Sequence, residues 1–517
     1  MTLFTDLLAD PYAERIFLLE ALPYDPVSAS LKTIRFSSLS SSSTVPIYNN
    51  FHWPARLDLT INQATEIFKG SFGGINPSPT GGQIQISIAD GENDAILDYV
   101  WDGRDITIYM GGPTFAWADF GIIFKGTALD ASWTETVLTL KIRDFAEVLK
   151  KPVQESTYLG TGGLEGTADL KDVVKPISFG SPRNIEPVLL DRITQLYQFN
   201  DGASQAVDNV YDKGVALTKA NGGANDIVDL ALASINDWIP IGGQYITDLA
   251  NGLIRLGAEP DGPLTADVQG FNTGGFIQST SDIIKQIIIG GELTTADLDL
   301  ASFTQLNTDN SSAISVYLKA ENPTRFDLIN QLMVTIGGFW FWDKSRKLKV
   351  GQFKFGTSVA TYDETDILTI KRIDTPVPLW SLRMGYARSF TIQDQSEISK
   401  VCTSQALADF VKTKYRYVTA ADAAIKTRRV LAKKIDVFST YDTQANAQVE
   451  VDRQFALLNV DRDFYQIKFW GIQFVRELGE TITIKHPRFG LSAGKDGIIS
   501  KLGENTKDGT TTMNVWI

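Results

Sequence analysis

The sequence predicts a mainly β fold with α+β insertions. Apolar and polar residues alternate strictly in the first part of the chain, this alternation returns at the other end, and capped helical patterns lie between. With 517 residues, the chain is long enough for about two to four domains. We expect four parts: a β domain at 1–175, an irregular linker or insert at 176–275, a small α/β module at 276–370 and a second β domain at 371–517.

The first β domain is predicted from segments of period two. Every second residue in them is apolar, which is typical of a half-buried antiparallel strand. Glycines and prolines, which form turns, separate the segments. The residues predicted to face the core are Leu57, Leu59, Ile61, Ile84, Ile86, Ile88, Ile106, Ile108, Met110, Leu138, Leu140 and Ile142.

The second part of the chain offers few patterns. Residues 200–275 are rich in glycine and asparagine, so no regular structure is predicted there. Four glycines precede this part, but they lack the G-x-G-x-x-G spacing of a dinucleotide-binding loop and no strand-then-helix pattern surrounds them. They are Gly160, Gly162, Gly163 and Gly166.

Two helices are predicted in the α/β module. The first covers DIIKQIIIGG, residues 282–291, and its inward residues are expected to be Ile283, Ile284, Ile287 and Ile288. The second is expected to have Asn322 as its cap, Pro323 in its first turn and Gly337 at its end. Its apolar stripe is predicted to be Phe326, Ile329, Met333 and Ile336.

A hairpin of aromatic residues follows the second helix. FWFWDKSRKLKVGQF predicts two strands around a polar turn at 343–346. Four consecutive aromatics can stack on nucleic-acid bases, but in a strand they divide into two pairs on opposite faces. One pair is expected to pack on the helix and the other to need cover from another domain or subunit. The interface candidates are Phe339, Trp340, Phe341 and Trp342.

The second β domain is predicted from strands at the end of the chain. In TTTMNVWI, Met513, Val515 and Ile517 alternate with Thr512, Asn514 and Trp516. A helix over roughly 443–459 precedes these strands. Its buried side is expected to carry Ala445, Val449, Phe455 and Leu458.

The stretch GETITIKHPRFGLSAGKDGIIS, residues 479–500, contains the strongest candidates for chemistry. It holds His486, and His52 is the other of two histidines. GLSAGK resembles a phosphate-binding loop, but it has three residues between its glycines instead of four, and Asp496 stands where that loop needs Ser or Thr. Because His486 precedes Pro487 and lies between two strand patterns, a hairpin connection is predicted.

No catalytic, metal-binding or cofactor-binding residue is predicted, and we expect the chain not to be an enzyme. The single cysteine, Cys402, has only His52 and His486 as imidazole partners and is expected to be a small packed residue. Zinc and calcium motifs are missing from the sequence. With 61 acidic residues, a carboxylate pair suited to glycoside hydrolysis stays an open alternative.

Charge and hydropathy narrow the class of partner. The net charge of −13 is unlike that of proteins that hold nucleic acid by clustered Lys and Arg. The first residues lack the basic start of a secretory signal, and no apolar run reaches the ~18 residues of a membrane span. We expect a protein made in the cytoplasm, with no membrane segment.

Several stretches resemble tail-tip and baseplate hub proteins of tailed bacteriophages. At the N-terminal end these are GGQIQISIADGENDAILDYVWDGRDITIYMGG and IFKGTALDASWTETVLTLKIRDFAEVLKKPV, followed by YLGTGGLEG and KPISFGSPRNIEPVLLD. In the middle, PTRFDLINQLMVTIGGFWFWDKSRKLKVGQF resembles the helix-then-hairpin module of such hubs, and LGETITIKHPRFGLSAGKDGIIS with NVWI resembles their closing barrel.

The resemblance implies a fold and a role. Hub proteins carry two tail-tube-like β-barrel domains that superpose, and three chains mimic the six-fold tube ring. Such a homotrimer would join the tail tube to a central spike or fibre, act in host attachment and form part of the DNA-ejection channel. Its partners would be distal tail or tube proteins, the spike or fibre and the tape-measure protein, in a virion assembled in the host cytoplasm.

DNA is expected to pass through this channel without specific binding, along a polar wall that is acidic on balance. Two other functions stay open. A distal tail protein would form a hexameric ring at the tube end with one tube-like domain per chain. A tail-associated cell-wall glycosidase would need a convergent carboxylate pair in a cleft.

Overall fold

A computed structural model describes residues 3–10, 12–39, 47–60, 62–70, 72, 82–143, 145–223, 225–402, 404–471, 474–506 and 509–517. Over these residues the chain is mainly β, with helices concentrated between 280 and 458, which confirms the predicted fold class. Ile61, expected to face the first core, lies outside the described residues. None of the described helices has the length and apolar character needed to cross a bilayer.

The N-terminal part is built on one antiparallel sheet. Its elements are α1 Leu3–Ala9, β1 Ile16–Ala21, β2 Tyr24–Asp25, β3 Ser30–Leu31, β4 Ile34–Ser37, β5 Ile47–Tyr48, β6 Phe51–His52, β7 Leu57–Thr60, β8 Asn62–Glu66, β9 Gly82–Ser87, β10 Asp105–Gly111, β11 Gly121–Trp133 and β12 Val137–Arg143. Seven strands form the first sheet in the order β4-β1-β10-β11-β12-β9-β7. Short 3-10 helices occupy Asp94–Asp98, Trp117–Asp119 and Phe145–Lys150.

The first sheet curls until its two edges meet. Ser37, at the end of β4, donates its amide to Pro54 O at 2.8 Å and accepts from Arg56 N at 3.1 Å, just before β7 begins. The alternation predicted from sequence is confirmed, because one residue in two faces a shared apolar core. The predicted core residues that are buried are Leu57, Leu59, Ile84, Ile86, Ile88, Ile106, Ile108, Met110, Leu138, Leu140 and Ile142.

Residues 176–275 contain far more regular structure than their composition predicts. Their strands are β13 Ile177–Phe179, β14 Val188–Asp191, β15 Leu196–Gln198, β16 Ser204–Asp212, β17 Val215–Ala216, β18 Thr218–Lys219, β19 Gln244–Asp248, β20 Leu253–Leu256 and β21 Leu264–Phe271. They form sheets in the orders β14-β15-β20-β19-β18 and β17-β16-β21, over two apolar clusters. Many of these strands have only two to five residues, too few for period two to stand out among the turn-forming residues.

The α/β module contains α2 Thr280–Ile289, α3 Leu300–Asp309, β22 Val316–Leu318, α4 Arg325–Thr335, β23 Gly338–Trp342 and β24 Leu348–Gln352. The first predicted helix is confirmed as α2, with Ser279 as its cap and the four expected isoleucines buried. Arg325, almost fully buried, donates to the carbonyl oxygens of Ile287 and Gly290 at 3.1 Å each. It thus satisfies carbonyls that α2 leaves free at its end.

The predicted start of the second helix is wrong by two residues. Thr324, not Asn322, caps α4, since its hydroxyl accepts from Asp327 N at 3.1 Å. Asn322 instead takes a positive φ of 44°, and its side-chain oxygen accepts from Gln154 N at 3.2 Å. Asn322 therefore shapes the loop before the helix, because asparagine tolerates the left-handed conformation.

The second β part contains β25 Thr361–Tyr362, β26 Ile367–Asp374, β27 Leu379–Tyr386, α5 Gln405–Val411, β28 Arg416–Ala421, α6 Ala423–Arg428, β29 Lys433–Phe438, α7 Gln444–Leu458, β30 Phe464–Trp470, β31 Thr481–His486, β32 Leu491–Asn505 and β33 Thr510–Trp516. The second sheet has the order β25-β31-β32-β33-β30-β26. Between β26 and β30 the chain forms a separate three-stranded sheet, β28-β27-β29.

The helix expected at 443–459 is confirmed as α7, but its predicted buried face is only half right. Phe455 and Leu458 are buried, whereas Ala445 and Val449 are exposed. The buried face includes the polar residues Glu450 and Gln454. Beside them, the partly buried Arg453 donates to Ile336 O and Phe353 O at 2.9 Å each. These bonds satisfy backbone carbonyls beyond the end of α4, a requirement that apolar periodicity does not reveal.

We expect Met333→Asp to unfold α4 and the hairpin beneath it. Met333 is 3% exposed, so a carboxylate there would be buried without a partner, at a cost of about 3 kcal/mol or more. Val449→Asp adds the same charge at a helical position that is 71% exposed and should leave the melting temperature nearly unchanged. Thermal unfolding followed by circular dichroism compares the two, and equal melting temperatures would contradict this packing.

Candidate functional site

The two seven-stranded sheets meet at a junction where the chain passes directly from one to the other. β7 belongs to the first sheet through β9, and β8, only one residue later, pairs antiparallel with residues 501–505 of β32. Ile67 extends this pairing by donating its amide to Ser500 O at 2.8 Å. β8 therefore completes the second sheet with a strand from the N-terminal part of the chain.

A segment of the second β part makes the opposite crossing. Phe474 lies between β30 and β31 in sequence, yet its side chain is buried in the core of the first sheet, with Val475 packed beside it. Its φ of +61° is uncommon for a residue with a side chain. Each sheet thus receives a piece of chain from the other half of the molecule.

Two charged side chains hold the backbone of Phe474. Lys344 Nζ, in the hairpin turn, donates to Phe474 O at 2.5 Å, and Phe474 N donates to Glu504 Oε1, on β32, at 2.5 Å. Burial lowers the pKa of Lys344, and the charge of Glu504 opposes this shift. Burial likewise raises the pKa of Glu504, and Lys344 opposes it. The two opposite charges therefore stabilise each other through the backbone they share.

The aromatic hairpin lies at this junction, with its two pairs of rings on opposite faces. Phe339 and Phe341 stack with ring centres 6.2 Å apart, and Phe339 fills the space over Gly479. A Cβ at Gly479 would lie 2.4 Å from the Phe339 ring, so that position requires glycine. The phenylalanine pair thus faces the segment that leads from Phe474 into β31.

The tryptophan pair faces other parts of the same chain. Trp340 is buried against Phe326 of α4, with ring centres 5.5 Å apart, and its indole nitrogen donates to Asn330 Oδ1 at 2.8 Å. Trp342 packs edge-on against Phe145 at 6.1 Å, next to the first sheet. The four candidates are therefore covered within one chain, at the contact between the α/β module and both β parts.

Ion pairs surround the hairpin. Lys349 on β24 pairs with Glu477 at 2.8 Å and with Asp299 at 3.6 Å. Arg346 in the turn lies over the ring of Phe145, 3.3 Å from its centre, and pairs with Asp105 of β10 at 3.6 Å. The cavity that remains, lined by Lys344, Glu504 and their neighbours, measures about 80 Å³, too small for a cofactor.

The sequence did not reveal the junction residues. Lys344 lies in a turn whose polar composition predicts exposure, and Glu504 stands 160 positions away. The one indication was an apolar pair, Phe474 and Val475, in a segment between strands where polar residues are usual. Charged partners so far apart in sequence cannot be matched without the fold.

Both histidines lie at the ends of strands. His486 ends β31 in the predicted hairpin, its Nδ1 accepts from Arg488 N at 3.2 Å, and its ring stacks on Phe489. His52 is an exposed residue of β6. Cys402 packs in a small apolar cluster with Ile398 and Val411. Among the residues that the structure describes, no three His, Cys, Asp or Glu side chains gather as metal ligands.

One carboxyl group has a pKa in the range of an acid–base catalyst. Burial raises the pKa of Asp442 to about 7, and a hydrogen bond from Ser315 and the charge of Arg183 oppose this shift. Such a shift occurs in active sites and in structural networks alike. The groups that oppose this shift are a hydroxyl and a guanidinium, and the second carboxyl that glycoside hydrolysis requires is not among them.

Most of the chain is similar to solved structures of tail and virion proteins. A tail protein from Neisseria meningitidis MC58 shares 10% identity at a TM-score of 0.39, covering 97% of this chain and 96% of that one. The 43 kDa tail protein of prophage MuSo2 from Shewanella oneidensis shares 10% identity at a TM-score of 0.37, and the match covers 97% of this chain and 96% of that one. A chain of the virion of a native gene transfer agent particle shares 12% identity at a TM-score of 0.43, and the match covers 70% of this chain and 86% of that one.

No family model matches the sequence, and no curated protein matches it. The identities and TM-scores of the solved structures are too low to establish a shared family.

We expect Lys344→Met to destabilise the junction strongly. The change removes the positive charge that favours ionised Glu504, which is buried, and leaves Phe474 O without its donor. A buried charge left without compensation costs about 3 kcal/mol or more. Lys347→Met, at an exposed position in the same turn, serves as the matched control. Limited proteolysis and thermal unfolding should show a loss of stability only for Lys344→Met. Similar curves for both variants would mean that Lys344 does not stabilise the junction.

Proposed function

We propose that this chain is a structural virion protein, the hub of a phage tail tip or baseplate. It joins the tail tube to a central spike or fibre and forms part of the DNA-ejection channel. The observation that carries this proposal is the junction, where β8 and Phe474 fasten two seven-stranded sheets to each other. The resemblance of the sequence to hub proteins supports the same role.

The junction suits a part that must adapt two symmetries. If each chain contributes two β domains to a ring, three chains supply six, which matches a six-fold tube at one end and a three-fold spike at the other. Such a ring requires the two domains of each chain to keep a fixed orientation. Strand exchange and buried charges fix an orientation more firmly than a flexible linker would.

A free sheet edge suits contact between copies. β26 pairs with β30 on one side, and among the described strands none pairs with its other side. Leu368 and Ile373 on this strand are exposed. An exposed edge with apolar side chains is a ready template for a strand from another chain. We propose that a neighbouring copy covers it in the ring.

The alternatives are less well supported. A distal tail protein has one tube-like domain per chain, whereas this chain has two large sheets at opposite ends of its sequence. A cell-wall glycosidase needs two carboxyls across a cleft, and Asp442, whose pKa burial raises to about 7, interacts with Ser315 and Arg183 instead. We propose a non-enzymatic role, with distal tail or tube proteins, a spike or fibre and a tape-measure protein as partners.

The purified chain is expected to form a trimer of about 171 kDa from three 56.9 kDa chains. Light scattering with size-exclusion chromatography measures this mass. Leu368→Lys with Ile373→Lys should yield monomers, because charges on an edge strand oppose pairing. Val228→Lys, at another exposed apolar position, should remain trimeric. A hexamer would favour the distal tail protein, and a monomer at tens of micromolar would refute the ring.

His486→Ala is expected to leave tail assembly and infectivity nearly unchanged. The imidazole accepts one local backbone hydrogen bond in a hairpin turn and stacks on Phe489, so its loss should shift the melting temperature by little. Assembled tails that carry the variant can be counted by electron microscopy and titrated on host cells. A large loss of infectivity with normal particles would restore the enzyme hypothesis.

A further inference from the structure

One face of the second sheet has an aromatic half and a polar half. In the aromatic half, Trp516 and Phe464 are opposite each other in register and are covered by Phe68 and Phe353. Two residues further along each strand, the side chains on this face change from aromatic to polar. Lys371, Gln466, Asn514 and Lys501 then follow one another across β26, β30, β33 and β32.

The polar half is concave. The next row contains Lys468 of β30 and Thr512 of β33, and together these strands line a cavity of about 250 Å³. Its side chains are lysines, amides, hydroxyls and small residues, with no carboxylate among them. The acidic residue opposite Lys501, Glu66 of β8, pairs with Lys69 at 3.2 Å.

The lysines of this face lack the partners that others in the chain have. Lys349 and Lys175 form ion pairs, but for Lys371, Lys468 and Lys501 the described residues offer no carboxylate within ion-pair distance. Positive charges in a concavity focus the local potential and attract anions, even when the whole molecule is acidic. The face is thus a basic region on a chain with a net charge of −13.

Asn514 gives an independent indication of a ligand. Its side chain is 7% exposed and lines the cavity, yet its amide oxygen has no hydrogen-bond partner. Buried amides almost always have partners. An amide oxygen accepts hydrogen bonds, so this atom is free to accept one from a donor that enters the cavity.

We propose that this lysine–amide face binds the phosphate backbone of a nucleic acid. Ammonium, amide and hydroxyl groups are the side chains that contact phosphates without reading sequence. With strands ~4.8 Å apart and alternate residues ~7 Å apart, the lysines spread over roughly 14 Å, enough to span several phosphates. An acidic peptide would need apolar pockets for its anchoring residues, and the lining side chains do not form them.

The binding is weak and independent of sequence. About three phosphate contacts predict that the logarithm of affinity falls against the logarithm of salt concentration with a slope of about −2.7, which is about 40-fold between 50 and 200 mM salt. Contacts of this strength would guide a duplex along the protein without stopping it. The inference concerns a single chain, so it holds or fails separately from the trimeric ring.

Fluorescence anisotropy of a labelled 20-base-pair duplex, titrated with the full chain at 20 mM salt, tests the proposal. The triple variant Lys371→Gln, Lys468→Gln and Lys501→Gln should weaken binding at least tenfold and flatten its salt dependence. Lys141→Gln, Lys150→Gln and Lys285→Gln change the net charge equally at lysines that form ion pairs elsewhere. This control should bind like the unaltered chain.

Two further measurements give the test a clear outcome. Lysine acetylation of the unaltered chain, read by mass spectrometry, should be slower at Lys468 and Lys501 when duplex is present and unchanged at Lys141. This measurement applies even if the triple variant is unstable. Equal loss of binding in both triple variants, or no protection of these lysines, would overturn the proposal. Tighter binding of polyglutamate than of duplex at the same lysines would assign the face to an acidic peptide instead.

Discussion

The exchange of segments between the two sheets is the constraint on which the rest of the structure depends. β8 gives backbone hydrogen bonds to the second sheet, and Phe474 gives its ring to the core of the first. Neither sheet is complete without residues from the other half of the chain. The aromatic hairpin, the ion pairs of Lys349, the half-buried Lys344 and the buried Glu504 all surround this crossing.

Two arginine side chains play a similar part further from the crossing. Arg325 satisfies the end of α2, and Arg453 satisfies carbonyls beyond the end of α4 while pairing with buried Glu450 at 2.6 Å. These arginines bring together elements that are distant in sequence, because a helix end buried without donors would be costly. The helices of the molecule are therefore connected through their ends as well as through their apolar faces.

The parts predicted well from sequence were those governed by local periodicity. Strands with full alternation, helix α2 and the aromatic hairpin follow from residues that lie close together in the chain. The short strands of 176–275 were missed because two to five residues do not establish a period. The exposed Val449 shows where tertiary partners, such as the carbonyls that Arg453 reaches, decide which face of a helix is buried. Asn322 was mistaken for the cap of α4 because its bond from Gln154 N, far away in the sequence, has no local signal. The junction depends on charge contacts and strand pairing between residues that are far apart in the sequence. No local sequence pattern predicts such contacts.

The pairing of β8 with β32 also affects how the molecule is made. A ribosome releases β8 more than 400 residues before its partner strand, so the nascent chain holds an unpaired strand for most of its synthesis. Contacts at such separation carry a high loop-closure entropy and form late. The strands of the first sheet can pair with one another early, but the core of this sheet is complete only after Phe474 has been synthesised. Folding of this protein is therefore expected to finish in a slow step, in which the two halves interlock after the second sheet has emerged.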